Sequence, residues 1–248
     1  HPKLFSINIY KFKDTNYNFP NIENKHVSEA TYYRLFISNY LQADIEHIFY
    51  IDADAFFINS IDKDLESNFS DFKNSKYGIA ALTTNDVLDN PDIRELGLQN
   101  ESYFNAGILF IDYQRWLSED YFIKFLDILQ NREIQFSSWD QDILNIFFDG
   151  NYFELSDGLN YNINSIDSSR ENDLQAIQKN VTVVHYIGSP KPWNIKGLVY
   201  PGQKFFYELF RKLFKDKYFL SINNRKNFLL SFKKILLKRE HIYVQNKY

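Results

Sequence analysis

His47-Ile48-Phe49-Tyr50-Ile51-Asp52-Ala53-Asp54 decides how the rest of the chain is read. The apolar run predicts a short strand covered on both faces, and it stops at two carboxylates two residues apart. Ligands of an open α/β sheet gather beyond the carboxyl ends of its strands, which puts Asp52 and Asp54 where a site is expected. Two hard oxygen donors suit Mg²⁺ or Mn²⁺, and such an ion grips a diphosphate in turn. The competing reading is structural, because aspartates after strands also act as turn residues and helix caps.

Outward from that segment, strands alternate with helices. Residues 4–10 alternate apolar and polar side chains and predict a strand, and a polar loop follows. Residues 28–41 carry Tyr32, Leu35, Phe36 and Tyr40 at helical spacing behind Ser28 as N-cap. Further strands are expected at 77–82, 103–111 and 181–187. Helices are expected at 113–131, from 137 to 148 before the stop signal Asp149-Gly150, and in the tail at 204–217 and 224–240. The alternation predicts an α/β fold.

The 248 residues are 44% hydrophobic, with 24 Phe and 18 Tyr against 8 Gly and 6 Pro, so a densely packed aromatic domain is expected. Cysteine is absent, which removes disulfides, zinc–thiolate sites and cysteine nucleophiles and fits a reducing compartment. Methionine is absent too, so His1 is not expected to be the native start. No apolar run reaches the roughly 20 residues that cross a bilayer. Residues 204–248 hold 12 of the 28 basic residues and 3 of the 32 acidic ones, leaving 16 basic against 29 acidic in 1–203. The acidic body argues against nucleic acid as a partner, and the basic aromatic tail predicts contact with an anionic membrane. The expected division is a main domain, 1–203, and a helical tail, 204–248.

Three further patterns carry chemistry. In Val183-Val184-His185-Tyr186-Ile187-Gly188 a histidine ends a strand far from the aspartates. A lone histidine is more often a hydrogen-bonded core residue, but as a third ligand its imidazole favours Mn²⁺ over Mg²⁺. Lys191 follows in a proline-bounded turn, either on a phosphate or solvated. Asp140-Gln141-Asp142 opens a helix, and Ser138-x-x-Gln141 fits a capping box, so Gln141 has a structural explanation as well as a catalytic one.

Read in order, Tyr32-x-Arg34, Tyr50-Ile-Asp52-Ala-Asp54, Tyr103-Phe-Asn105-Ala-Gly107, Asp140-Gln-Asp142-Ile-Leu-Asn145 and His185-Tyr-Ile-Gly188-Ser-Pro-Lys191-Pro-Trp193 give the chain its resemblance to glycosyltransferase family 8. Within that family it is most similar to the bacterial lipooligosaccharide galactosyltransferases and glucosyltransferases. The resemblance implies a GT-A fold, a mixed central sheet flanked by helices, with 1–203 as its catalytic domain. It implies that Asp52, Asp54 and His185 hold Mn²⁺, with Mg²⁺ the alternative. Ala53, Asp54, His185, Gly188 and Lys191 would contact the diphosphate of a UDP-galactose or UDP-glucose donor. Arg34, Asp52, Asn105, Ala106, Asp140 and Gln141 would line the donor sugar, with His26 and Gly188 near the acceptor. Gln141 matches the residue beneath the reacting anomeric carbon, and Asp140 and Asp142 join it as catalytic candidates.

The implied reaction is hexose transfer with retained anomeric configuration to a saccharide acceptor such as lipopolysaccharide, lipid-linked and met at the inner face of the cytoplasmic membrane. Glutamine is a poor nucleophile, so the acceptor hydroxyl is expected to attack on the face that UDP leaves; a covalent intermediate on Asp142 is the alternative. Two departures stand out. The strand, loop and helix with which the family cradles uracil and ribose do not precede His1, so a trimmed chain or a pocket completed by another chain is expected. An acidic acceptor residue of the family falls at Thr83 or Thr84. The segment 50–57 also locally resembles the first metal motif of translesion DNA polymerases and, more loosely, the Asp-x-Asp of haloacid-dehalogenase phosphatases, but neither accounts for the later motifs. A non-catalytic sugar-nucleotide binder or scaffold is the rival of another class. In the tail, the apolar stripe Phe228, Leu229, Phe232, Ile235 and Leu236 among basic residues suits a helix lying in anionic headgroups; otherwise it packs on the domain.

Overall fold

The computed structural model describes residues 6–13, 16–17, 19–20, 29–60, 63–84, 90–130, 135–165, 171–194, 197 and 200–215. Its strands are β1 (His47–Ile51), β2 (Ala55–Phe57), β3 (Ile79–Thr83), β4 (Phe104–Asp112), β5 (Phe153–Glu154), β6 (Tyr161–Asn162) and β7 (Val183–His185). Its α-helices are α1 (Lys63–Lys73), α2 (Pro91–Arg94), α3 (Tyr113–Ser118), α4 (Tyr121–Gln130), α5 (Asp140–Phe148), α6 (Glu171–Asn180) and α7 (Gln203–Phe214). One sheet runs β1-β4-β3-β5 and another β2-β7-β6.

The chain divides into two compact units. The first comprises His1–Ile48, Lys76–Ala106 and Phe110–Phe153; the second comprises Phe49–Ser75, Gly107–Leu109 and Glu154–Tyr248. In the first unit β3 and β4 pair antiparallel, Ile79 opposite Ile111 and Thr83 opposite Phe104. Its core is aromatic, with Trp116 edge-on to Phe125 at 5.0 Å and Tyr121 edge-on to Phe147 at 4.8 Å, the offset geometry that ring quadrupoles favour. In the second unit β7 lies between β2, antiparallel, and β6, parallel. Val184, Tyr186, Ile163 and Ile177 are buried there together with Phe205, Phe206 and Tyr207 of α7.

Several expectations change. The strand buried on both faces is β4, whose residues from Phe104 to Ile111 are all buried. β1 is half-buried with Phe49 37% exposed, because it stands at the edge of its sheet and an edge strand is less enclosed. Residues 6–10 form no strand, and Ile7 and Ile9 are exposed. Alternation specifies two faces, but a strand also needs a ladder partner; the segment's end meets rings instead, Tyr10 edge-on to Tyr40, and beyond it Phe12 stacks on Tyr33 and meets Phe36 edge-on.

The helix expected at 28–41 is a 3-10 helix, Glu29–Asn39; Tyr32, Leu35 and Phe36 are buried as anticipated, since i+3 and i+4 neighbours share a face in either form. The helix expected at 113–131 is two, α3 and α4, separated at Asp120, whose φ of +53° is left-handed. The first tail helix is α7, with Phe205, Phe206 and Tyr207 in the core of the second unit. Ser28, the N-terminal part of the 4–10 segment and the helix expected at 224–240 lie outside the described residues.

Candidate functional site

In the second unit, a tight turn and one ladder bring the two aspartates to a histidine 131 positions further on. Asp52 directly follows β1 with its N–H donated to Gly107 O at 2.8 Å, and Ala55 N donates to Asp52 O at 3.0 Å, closing the turn that carries both carboxylates. β2 starts immediately, and its Ala55 stands opposite His185 in the antiparallel ladder. Tyr186 N donates to Asp54 O at 3.0 Å, which fixes the same register from the other side. His185 Nε2 is consequently 3.2 Å from Asp54 Oδ1 and 3.9 Å from Asp52 Oδ2. One ligand atom from each of the three residues lies within 4.8 Å of the others.

Neutral groups aim these ligands. The buried Asn160 places Oδ1 2.9 Å from His185 Nδ1; an Nδ1–H donated there leaves Nε2 as the atom facing the aspartates. The Tyr50 hydroxyl donates to Asp52 Oδ1 at 2.6 Å. Burial of Asp54 alone would raise its carboxyl pKa. The hydrogen bond and charge of His185, joined by those of Lys191, outweigh burial and hold it at about 2. Two carboxylates and an imidazole fixed through its far nitrogen fit a divalent cation. Ala53, between the aspartates, is exposed. Gly188 has φ +82°, a backbone geometry that L side chains rarely adopt, and a Cβ there would make an ordinary contact with Pro190 Cδ at 3.8 Å. The Lys191 ammonium bonds Asp54 Oδ2 and donates to Tyr186 O at 2.6 Å.

The first unit gathers the remaining motif residues on the start of α5. Arg34 Nε lies 2.6 Å from Asp140 Oδ2, both side chains nearly enclosed. Arg34 Nη1 also donates to Ala106 O, and Thr31 Oγ1 donates to Asp140 Oδ1. Gln141 closes no capping box. Trp139 is the N-cap residue, with φ +52° and no side-chain cap bond, and the Gln141 amide turns away from the helix start. Its Oε1 accepts from Asn105 Nδ2 at 3.1 Å and Ala106 N at 3.0 Å, and its Nε2 donates to the Tyr103 hydroxyl at 3.0 Å. Because Ala106 N can only donate, the amide orientation is fixed.

Tyr103 passes the interaction on, donating to Asp142 Oδ1 at 2.6 Å, while Ser138 N donates to Asp142 Oδ2 at 2.7 Å. Burial, followed by the adjacent Asp142 charge, drives the Tyr103 hydroxyl pKa far up. Burial also raises Asp142, against the opposing pull of Tyr103 and of the Ser138 and Ser137 N–H groups. Thr83 Oγ1 pairs with the Tyr152 hydroxyl, and Thr84 Oγ1 donates to Tyr103 O. His26 lies outside the described residues.

Sequence reasoning named the ligand candidates and missed most of what orients them. Tyr50 and Tyr103 stood inside the quoted motifs as flanking letters, whereas Thr31 and Asn160 gave no signal.

A sequence profile for Glycosyl transferase family 8 matches residues 3–197. The lipopolysaccharide 1,3-galactosyltransferase of Salmonella typhimurium is 29% identical over 196 residues, 74% of this chain and 55% of that protein. The lipopolysaccharide 1,2-glucosyltransferase of Escherichia coli K12 is 28% identical over 236 residues, 89% of this chain and 64% of that protein. The chain thus spans between half and two thirds of the length of these relatives. A solved structure of the galactosyltransferase LgtC with donor and acceptor sugar analogues aligns at a TM-score of 0.61 and 24% identity, over 84% of this chain and 73% of that one. That likeness makes the fold GT-A, and with the profile running through all five ordered motifs the chain belongs to glycosyl transferase family 8.

Proposed function

We propose that the chain is a retaining hexosyltransferase that moves galactose or glucose from a UDP-sugar to a saccharide acceptor in lipopolysaccharide or lipooligosaccharide assembly. The observation that carries this reading is the convergence of Asp52, Asp54 and His185 on one point. The lipopolysaccharide galactosyl- and glucosyltransferase names of relatives support the substrate class. Held by these three residues, Mn²⁺, or Mg²⁺ in its place, supplies positive charge where the departing diphosphate gains negative charge.

The chain's own groups do the rest. Lys191, with Gly188 and Ala53, contacts diphosphate oxygens. Arg34, Asp140, Asn105 and Ala106 shape the donor-sugar subsite, and the amide of Gln141, locked by Ala106 and Tyr103, is preorganised against the anomeric centre. The acceptor hydroxyl oxygen bonds to the anomeric carbon on the face from which UDP departs, the bond from that carbon to UDP breaks, and the hydroxyl proton passes to the departing diphosphate oxygen.

Residues 1–203, with the buried Phe205, Phe206 and Tyr207 of α7, are assigned to catalysis, and the exposed remainder of 204–248 to peripheral attachment at the cytoplasmic face of the inner membrane. Lys204, Arg211, Lys212 and Lys215 beside the exposed Leu213 and Phe214 support that attachment. No helix among the described residues is long and apolar enough to cross a membrane. Vesicle flotation of the full chain against one ending at Lys215 and against a full chain carrying Leu213→Asp and Phe214→Asp tests it; equal flotation of all three removes the tail's role.

The deciding experiment measures UDP release from UDP-galactose and UDP-glucose with saccharide acceptors, with and without Mn²⁺, for the unaltered protein and Asp54→Asn. Mn²⁺-dependent release that the variant loses, with retained configuration in the product, is expected. Release from neither donor returns the chain to the scaffold reading.

A further inference from the structure

We infer that Lys191 is a built-in counter-cation for the Asp52/Asp54/His185 cluster: its ammonium holds Asp54 Oδ2 in the absence of a divalent ion and must give up that oxygen when one binds. The inference rests on the reading of the cluster as a cation site. Asp54 is divided between two partners, its Oδ1 facing His185 Nε2 at 3.2 Å and its Oδ2 bonded to the Lys191 ammonium. The ammonium is also steadied by Tyr186 O at 2.6 Å, so two of its three protons are committed.

Only the side chain is free to exchange. The Lys191 main chain is pinned in a tight turn, with its N–H donated to Ser189 O at 2.9 Å and its carbonyl accepting from Asn194 N at 3.0 Å. Gly197 closes that turn so tightly that a Cβ there would stand 1.9 Å from Lys191 O.

A divalent ion approaching Asp54 therefore meets an ammonium already on the same carboxylate. Like charges repel, so Lys191 opposes cation binding on its own. Once displaced, the ammonium remains tethered beside the site as a partner for a diphosphate. One residue thereby couples the two ligands positively, weakening the cation when alone and strengthening it when a nucleotide diphosphate is present.

The test titrates Mn²⁺ into the full chain, following free Mn²⁺ by electron paramagnetic resonance, with and without UDP, for the unaltered protein, Lys191→Gln and Lys191→Arg. Lys191→Gln should bind Mn²⁺ alone at least about fivefold more tightly, and UDP should improve its Mn²⁺ affinity less than it does for the unaltered protein. Lys191→Arg, which keeps the charge, should follow the unaltered protein. Unchanged or weaker Mn²⁺ binding by a folded Lys191→Gln chain overturns the inference and leaves the cation site standing. Absence of Mn²⁺ binding in all three overturns both. Should the Gln variant fail to fold by circular dichroism, Lys191→Met is titrated in its place with the same two outcomes.

Discussion

Replacing Arg34 by leucine strands a carboxylate. The Arg34 and Asp140 side chains are 9% and 3% exposed and meet at 2.6 Å, so the substitution leaves Asp140 enclosed without its counter-charge and takes a donor from Ala106 O. Removing one partner of a buried ion pair costs about 3–5 kcal/mol. Thr31 Oγ1 still donates to Asp140 Oδ1, which argues for the lower end, about 3 kcal/mol. For a chain of 248 residues each kcal/mol moves the Tm by about 2–4 °C, so a fall of about 6–12 °C is expected. Adding Asp140→Asn to Arg34→Leu removes the stranded charge and keeps an acceptor for Thr31, so the double variant should be more stable than Arg34→Leu alone. Thermal unfolding of both single variants and the double variant closes the cycle, with a coupling of at least about 1 kcal/mol expected. A Tm change below about 2 °C for Arg34→Leu, or strictly additive effects, refutes the view that these two candidate sugar-binding residues are first of all each other's partners.

Tyr103→Phe deletes the hydroxyl between Gln141 Nε2 and Asp142 Oδ1; kcat for hexose transfer should fall about tenfold or more with KM little changed, and an unaltered kcat removes Tyr103 as a positioning residue. Asn160→Ala takes the partner from His185 Nδ1, and Mn²⁺ affinity should drop about 10- to 100-fold; titration showing the original affinity would mean that the imidazole is aimed by its strand alone. Gly197→Ala drives a methyl group into Lys191 O, so the loop must open; a stability loss above about 2 kcal/mol is expected in denaturant titration, and an unchanged midpoint would contradict the tight turn.

What the sequence disclosed follows from what constrains each residue. Asp52, Asp54, His185 and the 140–142 triplet were found because their side-chain chemistry leaves few substitutes and each stands at the end or start of an element. The end of α5 at Asp149-Gly150 was equally readable, since both residues take positive φ. Hydrophobic runs were less discriminating. The 47–51 run and the 104–111 run look alike as letters, yet of the two only the second is buried throughout, because sheet order and not composition decides which strand is central. The alternation failed as a strand signal over 6–10 for the same reason: it records which residues would share a face and says nothing about a neighbour to pair with.

The orienting residues were hidden to the degree that tertiary pairing created them. Tyr50 and Asp52 are two apart, so strand geometry puts their side chains on one side, and the 2.6 Å bond between them was within reach of the sequence. Asn160 reaches His185 only because β6 and β7 run parallel with Asn162 opposite His185, a register that nothing in the intervening 24 residues announces. Arg34 and Asp140 are farther apart still, and either would satisfy its own motif without the other. The candidate site therefore divides into ligands that chemistry makes visible and supports that topology makes necessary. Substituting a support should disturb orientation and leave the reacting group in place, which is why Tyr103→Phe is read in kcat and Asn160→Ala in cation affinity.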